Sequence, residues 1–109
     1  MNYKVKTISV FEKQAKRLTK KYPSLKNELI VLVQELKENS ELGIPIGKNC
    51  FKIRIAIASK GKGKSGGGRI ITNFVVRDHT VFLLSIYDKS EKENITEKEL
   101  EMLLQSIPI

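Results

Sequence analysis

The run from Phe51 to Val76 leaves its backbone few choices. Phe51, Ile53, Ile55 and Ile57 alternate with Lys52, Arg54, Ala56 and Ala58. A period of two marks a strand with one face buried and one open, because successive side chains point to opposite sides. The alternation stops at Ser59-Lys60-Gly61-Lys62-Gly63-Lys64-Ser65-Gly66-Gly67-Gly68-Arg69, which is too rich in glycine to continue a regular element. Arg69 to Val76 resumes as a strand that is apolar on both faces, which suits a central place in a sheet. The pattern predicts a strand–loop–strand unit with isoleucines toward the core and Lys52 and Arg54 on the open face. Arg69 joins them there if its side chain follows the alternation.

The charge lies in the same region. From Leu42 to Arg77 there is no Asp or Glu, and there are eight cations: Lys48, Lys52, Arg54, Lys60, Lys62, Lys64, Arg69 and Arg77. The chain has 20 Lys+Arg and 12 Asp+Glu, so outside this third the two signs balance and the formal +8 belongs to it. Charge placed in one stretch points to a polyanion. Alternating Lys and Gly sets cations on a backbone with little steric restriction, able to drape along phosphates. Composition alone favours a solvated hairpin loop. The cations on the adjoining strands, with no acid to balance them, favour a phosphate contact. Gly63-Lys64-Ser65 ends like a nucleotide-binding phosphate loop. The upstream glycine position is Ala58 and the loop joins two strands, so that motif fails.

The rest of the 109-residue sequence is expected to complete a single domain, 1–109, of a globular protein that is 40% hydrophobic. Tyr3 to Ile8 alternates as a short first strand. Ser9 with Glu12 reads as a capping box opening a helix whose stripe is Phe11, Ala15, Leu18 and Tyr22. Its cations Lys13, Lys16, Arg17, Lys20 and Lys21 read as a solvated face. Tyr22-Pro23-Ser24 breaks the helix, and Leu25, Leu29, Leu32, Val33 and Leu36 carry a second one to about Glu38. Leu42 to Asn49 reads as a loop, Arg77 to Thr80 as a turn and Val81 to Tyr87 as the last strand. Thr96 with Glu99 caps a C-terminal helix bearing Leu100, Leu103, Leu104 and Ile107. The expected order is β-α-α-β-β-β-α: an α+β fold, with a mainly antiparallel sheet and helices packed on one face.

Several function classes drop out. The single cysteine, Cys50, allows no internal disulfide and no Cys-based metal site, and fits a cytoplasmic setting. The first residues lack the apolar core of a signal peptide, and no apolar run approaches a membrane span. His79 is the only histidine, which excludes a two-histidine ribonuclease mechanism. With no second histidine and no acid in the basic stretch, no metal site or other cofactor is expected. Tyr87 has two readings of equal weight, a core-edge aromatic or a platform and proton donor for a nucleotide.

Three segments carry a resemblance. Cys50-Phe51-Lys52-Ile53-Arg54, Lys60-Gly61-Lys62-Gly63-Lys64-Ser65-Gly66-Gly67-Gly68-Arg69-Ile70-Ile71 and Leu84-Ser85-Ile86-Tyr87-Asp88-Lys89 resemble the RelE/ParE toxin superfamily. The nearest likeness is to its HigB-like branch, which has the same Lys/Gly loop. The resemblance implies a bacterial type II toxin with a RelE-like fold. RelE-like members enter the ribosomal A site and cut mRNA there without metal, and a cognate antitoxin neutralises them. Carried over by position, the implied active residues are Lys52, Arg54, Arg69 and Lys89, with Tyr87 a further candidate. Lys48, Lys60, Lys62 and Lys64 are the expected RNA-backbone contacts. A tyrosine that some relatives use after the last strand falls here at Ile95. Two other readings stay open: a ParE-like toxin that inhibits a protein such as gyrase, and an RNA-binding domain without chemistry.

Overall fold

The computed structural model describes residues 2–61 and 63–108. Strand β1 (Lys4–Thr7) leads into helices α1 (Ser9–Lys21) and α2 (Leu25–Glu38). Strands β2 (Ile44–Gly47), β3 (Cys50–Ile55), β4 (Gly68–Val75) and β5 (Thr80–Asp88) follow, and α3 (Glu97–Gln105) comes last. The strands form one sheet in the order β1-β5-β4-β3-β2. β1 runs parallel to β5, and every other pairing is antiparallel. The α+β class and the central place of β4 agree with the sequence pattern.

The helical hairpin forms where the stripes predict it. Phe11 and Leu18 of α1, and Leu25, Leu32 and Leu36 of α2, are buried. They join one core with Ile53, Ile55, Ile57, Ile70 and Ile86 of the sheet. Ile53 pairs with Ile70, and Ile70 with Ile86, so these side chains share the face beneath the helices. Each fully buried leucine contributes about 1.5–3 kcal/mol over exposure. β1 covers β5 only as far as Leu83. Beyond it, Gln14 of α1 closes the strand edge, its Oε1 accepting from Ser85 Oγ at 3.1 Å and the Ile86 amide at 3.0 Å.

Three sequence expectations change. The Leu42–Asn49 loop contains the edge strand β2, paired with Cys50–Lys52 of β3. Proline is admissible there because an edge strand can leave its N–H side unpaired. The reversal into β3 passes through Gly47, Lys48 and Asn49, all with positive φ. Gly43, just before β2, has φ +102°, and a Cβ on it would lie 2.6 Å from the Lys52 carbonyl. The capping box at Ser9 does not form. Ser9 is already helical, extended Ile8 precedes it, and the Glu12 carboxylate bonds the Thr7 hydroxyl instead. The helices do not all share one face. α1 and α2 do, but the connection after β5 carries the chain across, and Asn94 to Glu97 and Leu100 line a cavity with Lys52 and Ile46. Ile71, which the register sets beside Lys52, is fully buried, so apolar surface on that face also required a cover.

Candidate functional site

Strand register assembles the site. Arg54 on β3 sits directly opposite Arg69 on β4, and Arg69 directly opposite Tyr87 on β5. Opposed residues point to the same face with Cβ atoms roughly 4.5–5.5 Å apart. Arg54, Arg69 and Tyr87 thus form a row across three strands. Lys52, two residues before Arg54, projects from the same face. The alternation predicted this convergence for Lys52, Arg54 and Arg69, while Tyr87 is brought in by the β4–β5 register; the four side chains stand in different surroundings.

Arg54 is exposed, and its side chain makes no hydrogen bond among the described residues. Arg69 is only 5% exposed. Its guanidinium donates to the carbonyls of Lys64 at 2.9 Å, Gly68 at 3.0 Å and Ser65 at 3.3 Å. No carboxylate among the described residues pairs with it. Carbonyl dipoles alone offset this buried cation. Of the five N–H donors of an arginine, the Nε–H and one on Nη2 stay without a partner there, a fork suited to an anion. Lys52 is half-buried, and its ammonium donates to Asn94 Oδ1 at 3.2 Å at the edge of a cavity of about 370 Å³.

Tyr87 is 5% exposed, and its buried hydroxyl has no well-formed hydrogen bond, only an approach to the Ile95 backbone. Such a group costs about 1–3 kcal/mol when left unpaired. Burial pushes the Tyr87 pKa up; the Arg69 charge beside it pulls the other way. The Lys92 ammonium lies 5.8 Å from the ring centroid and pairs with Glu99 of α3.

The Lys/Gly loop is anchored at both ends. Ser24 and Ser59 exchange hydrogen bonds at the start of α2, and Glu28 Oε2 accepts the Ala58 amide at 2.8 Å. At the far end Gly67 approaches β3 so closely that a Cβ would lie 2.1 Å from the Ile55 carbonyl oxygen. Lys60 points into the protein. Its ammonium donates to Asp88 Oδ1 at 2.5 Å, Gly66 O at 2.7 Å and Ser90 Oγ at 3.2 Å. Asp88 is completely buried, and its Oδ2 accepts from the Tyr22 hydroxyl at 2.5 Å. Burial works against the Asp88 charge, but the bonds from Lys60, Tyr22 and Ser90 outweigh it and hold the carboxyl well below its ordinary pKa.

The other expected contacts are dispersed. Lys48 is paired with Glu101 at 3.0 Å. Lys64 is exposed and gives only its carbonyl to Arg69. Lys62 lies outside the described residues. Lys89 donates its ammonium to Glu93 O at 3.2 Å and its amide to Gly67 O at 3.0 Å, tying the end of β5 to the loop. His79 sits in the β4–β5 turn with φ 49°, its ring 5.7 Å from Tyr3, away from the row. Sequence reasoning missed Lys92, Asn94 and Asp88. Only Asp88 left a signal: carried one step further, the β5 alternation places it on the core face with Ile86, where an acid requires a cationic partner.

The sheet order, the helical hairpin on one face and the cation row on the other define a RelE-like α+β protein. A mutant of the E. coli toxin RelE with two arginines changed to alanine, in the free state, has this fold. Its TM-score is 0.66 at 15% identity, over 99% of this chain and 100% of that one. A crystal structure of the isolated E. coli RelE toxin gives 0.53 at 16% identity, over 96% and 99%. At such identities the likeness is one of fold. The family described as "RelE toxin of RelE / RelB toxin-antitoxin system" matches residues 6–107. The chain belongs to the RelE toxin family of toxin–antitoxin systems. Among the described residues no helix is long and apolar enough to cross a membrane.

Proposed function

We propose that this toxin is a ribosome-dependent mRNA endoribonuclease that inhibits translation and works without metal. The observation that carries the reading is the Arg54–Arg69–Tyr87 row with Lys52 beside it: three cations on one face, with Arg69 held in place and buried without a carboxylate partner among the described residues. Such a row suits a phosphate that gains charge during reaction. The 2′-hydroxyl of the substrate gives its proton to water as its oxygen attacks the adjacent phosphorus, and the bond to the 5′-oxygen breaks. The products are a 2′,3′-cyclic phosphate and a 5′-hydroxyl. Arg54 and the free N–H groups of Arg69 hold the phosphoryl oxygens, and Lys52 delivers the proton to the leaving oxygen. Tyr87 ends the row, and because its hydroxyl is buried it reaches the RNA only if the segment covering it moves aside. Lys64 and, by its place in the sequence, Lys62 are assigned to the RNA backbone, and Lys48 and Lys89 flank the face.

Family membership implies a cognate antitoxin as partner. Ribosome and mRNA are the proposed targets, which sets the site of action in the cytoplasm. The test is cleavage of mRNA on programmed ribosomes by purified wild-type and Lys52→Ala chains. General acid–base help is worth roughly 100- to 10,000-fold, so Lys52→Ala should lose that factor and keep its fold. Equal cleavage by the two refutes the role of Lys52. Growth arrest with DNA-damage signalling and intact mRNA would move the reading to a ParE-like inhibitor.

A further inference from the structure

We infer that Lys60 and Asp88 form a positioning strut that sets the Arg69 guanidinium for cleavage, and that Lys60 makes no contact with RNA. The inference rests on the nuclease reading. Composition treats Lys60, Lys62 and Lys64 alike; the packing singles out Lys60. An ammonium has three donors, and Lys60 spends all three inside the protein, on Asp88, Gly66 and Ser90. Its side chain is 11% exposed. Reaching a phosphate would mean abandoning a completely buried carboxylate.

The strut and Arg69 grip the same turn. Gly63 O accepts from the Gly66 amide at 3.2 Å, closing a four-residue turn. Lys60 holds it at Gly66 O; Arg69 holds it at Lys64 O and Ser65 O. Asp88 is fixed in turn by the Tyr22 hydroxyl at the end of α1 and by the amide and hydroxyl of Ser90. The turn therefore takes its position from α1 and the end of β5, not from its own glycine-rich backbone. Release Lys60 and the turn drifts, and the carbonyls that aim Arg69 drift with it. A misplacement of order 1 Å in a catalytic group costs about 100-fold in rate.

Asp88→Asn separates positioning from electrostatics. It makes the chain more positive, so a purely electrostatic role predicts equal or tighter binding to ribosomes and undiminished cleavage. A strut predicts single-turnover cleavage at saturating ribosomes slower by roughly 10- to 100-fold, with affinity unchanged or tighter. Lys60→Gln should also slow cleavage while leaving the salt dependence of RNA binding unchanged. A slope lowered by about 0.7 would make Lys60 an RNA contact and overturn the inference, as would full-rate cleavage by folded Asp88→Asn. If Asp88→Asn does not fold, Tyr22→Phe loosens Asp88 while leaving the Lys60 pair, and a smaller drop confined to the rate is expected; an unchanged rate overturns the inference. If the wild-type chain cuts no RNA, the nuclease reading fails by itself. The strut is then judged by the Arg69 Nε–H resonance in the NMR spectrum: a shift in Asp88→Asn upholds it, and an unmoved signal overturns it.

Discussion

Gly67 and Gly63 lie four residues apart in one loop, and alanine should be costly at the first and nearly neutral at the second. At Gly67 an ideal Cβ stands 2.1 Å from the Ile55 carbonyl oxygen and 3.1 Å from that of Gly63. Carbon and carbonyl oxygen do not ordinarily approach closer than about 3.3 Å, so the end of the β3–β4 pair must open by roughly 1 Å. Overpacking of this kind costs about 1–3 kcal/mol. Opening also weakens one or two ladder hydrogen bonds near the Ile55–Gly68 pair, at about 0.5–1.5 kcal/mol each. The sum is about 1.5–6 kcal/mol, a fall in Tm of roughly 5–30 °C for a domain of this size. At Gly63 nothing lies within 4 Å of the added Cβ and φ is not positive, so Gly63→Ala should stay within about 0.5 kcal/mol of wild type. Thermal unfolding followed by circular dichroism compares the two directly. The same opening shifts Arg69 against Arg54, so Gly67→Ala should also cleave more slowly at temperatures where it is folded. Equal melting temperatures for the two variants would refute the close approach of the loop to β3.

Other consequences follow from single contacts. The folded Asp88 carboxyl is depressed below its ordinary 3.8. Its stabilisation is therefore present above that value and lost as pH falls through the lower folded value. Asp88→Asn should be less stable than wild type at neutral pH by about 3–5 kcal/mol, with the gap narrowing below about pH 4, read from urea midpoints. Thr96 caps α3 through a reciprocal capping box with Glu99, so Thr96→Ala should cost about 1 kcal/mol, measurable by denaturant titration. Leu36 is fully buried beneath the hairpin, and Leu36→Ala should cost about 2–5 kcal/mol. Lys64 is exposed near the row, and Lys64→Gln should reduce the log–log salt slope of RNA binding by about 0.7, seen in filter binding at several salt concentrations.

The sequence was legible where one face of an element is apolar. Stripes at three and four gave α1 and α2, a period-two run gave β3 and apolar runs gave β4 and β5, with the end of β3 read two to three residues too far. Thr96 and Glu99 announced their cap because both partners lie in the chain three residues apart. β2 stayed hidden because Pro45, Gly43 and Gly47 signal a loop by local propensity, while pairing with β3 decides otherwise. Ser9 and Glu12 have the right spacing for a box, but Thr7 offered Glu12 a competing hydroxyl. At the site, alternation correctly put Lys52, Arg54 and Arg69 on one face. It could not reveal that carbonyls of the loop bury Arg69, or that α3 returns over Lys52, since both depend on contacts distant in sequence. Lys60 shows the limit most clearly: a lysine in a Lys/Gly repeat looks solvated until the buried acid opposite it is known.

End-group analysis of mRNA on programmed ribosomes, with wild-type and Arg54→Gln chains side by side, bears most directly on the cation row. Arg54 is exposed, so its loss should leave stability within about 0.5 kcal/mol. The wild-type chain is expected to produce fragments ending in 2′,3′-cyclic phosphate and 5′-hydroxyl, and Arg54→Gln to produce them at least ~10-fold more slowly. Intact mRNA with the wild-type chain, or equal rates for the two, would contradict the assignment of this face to phosphate chemistry.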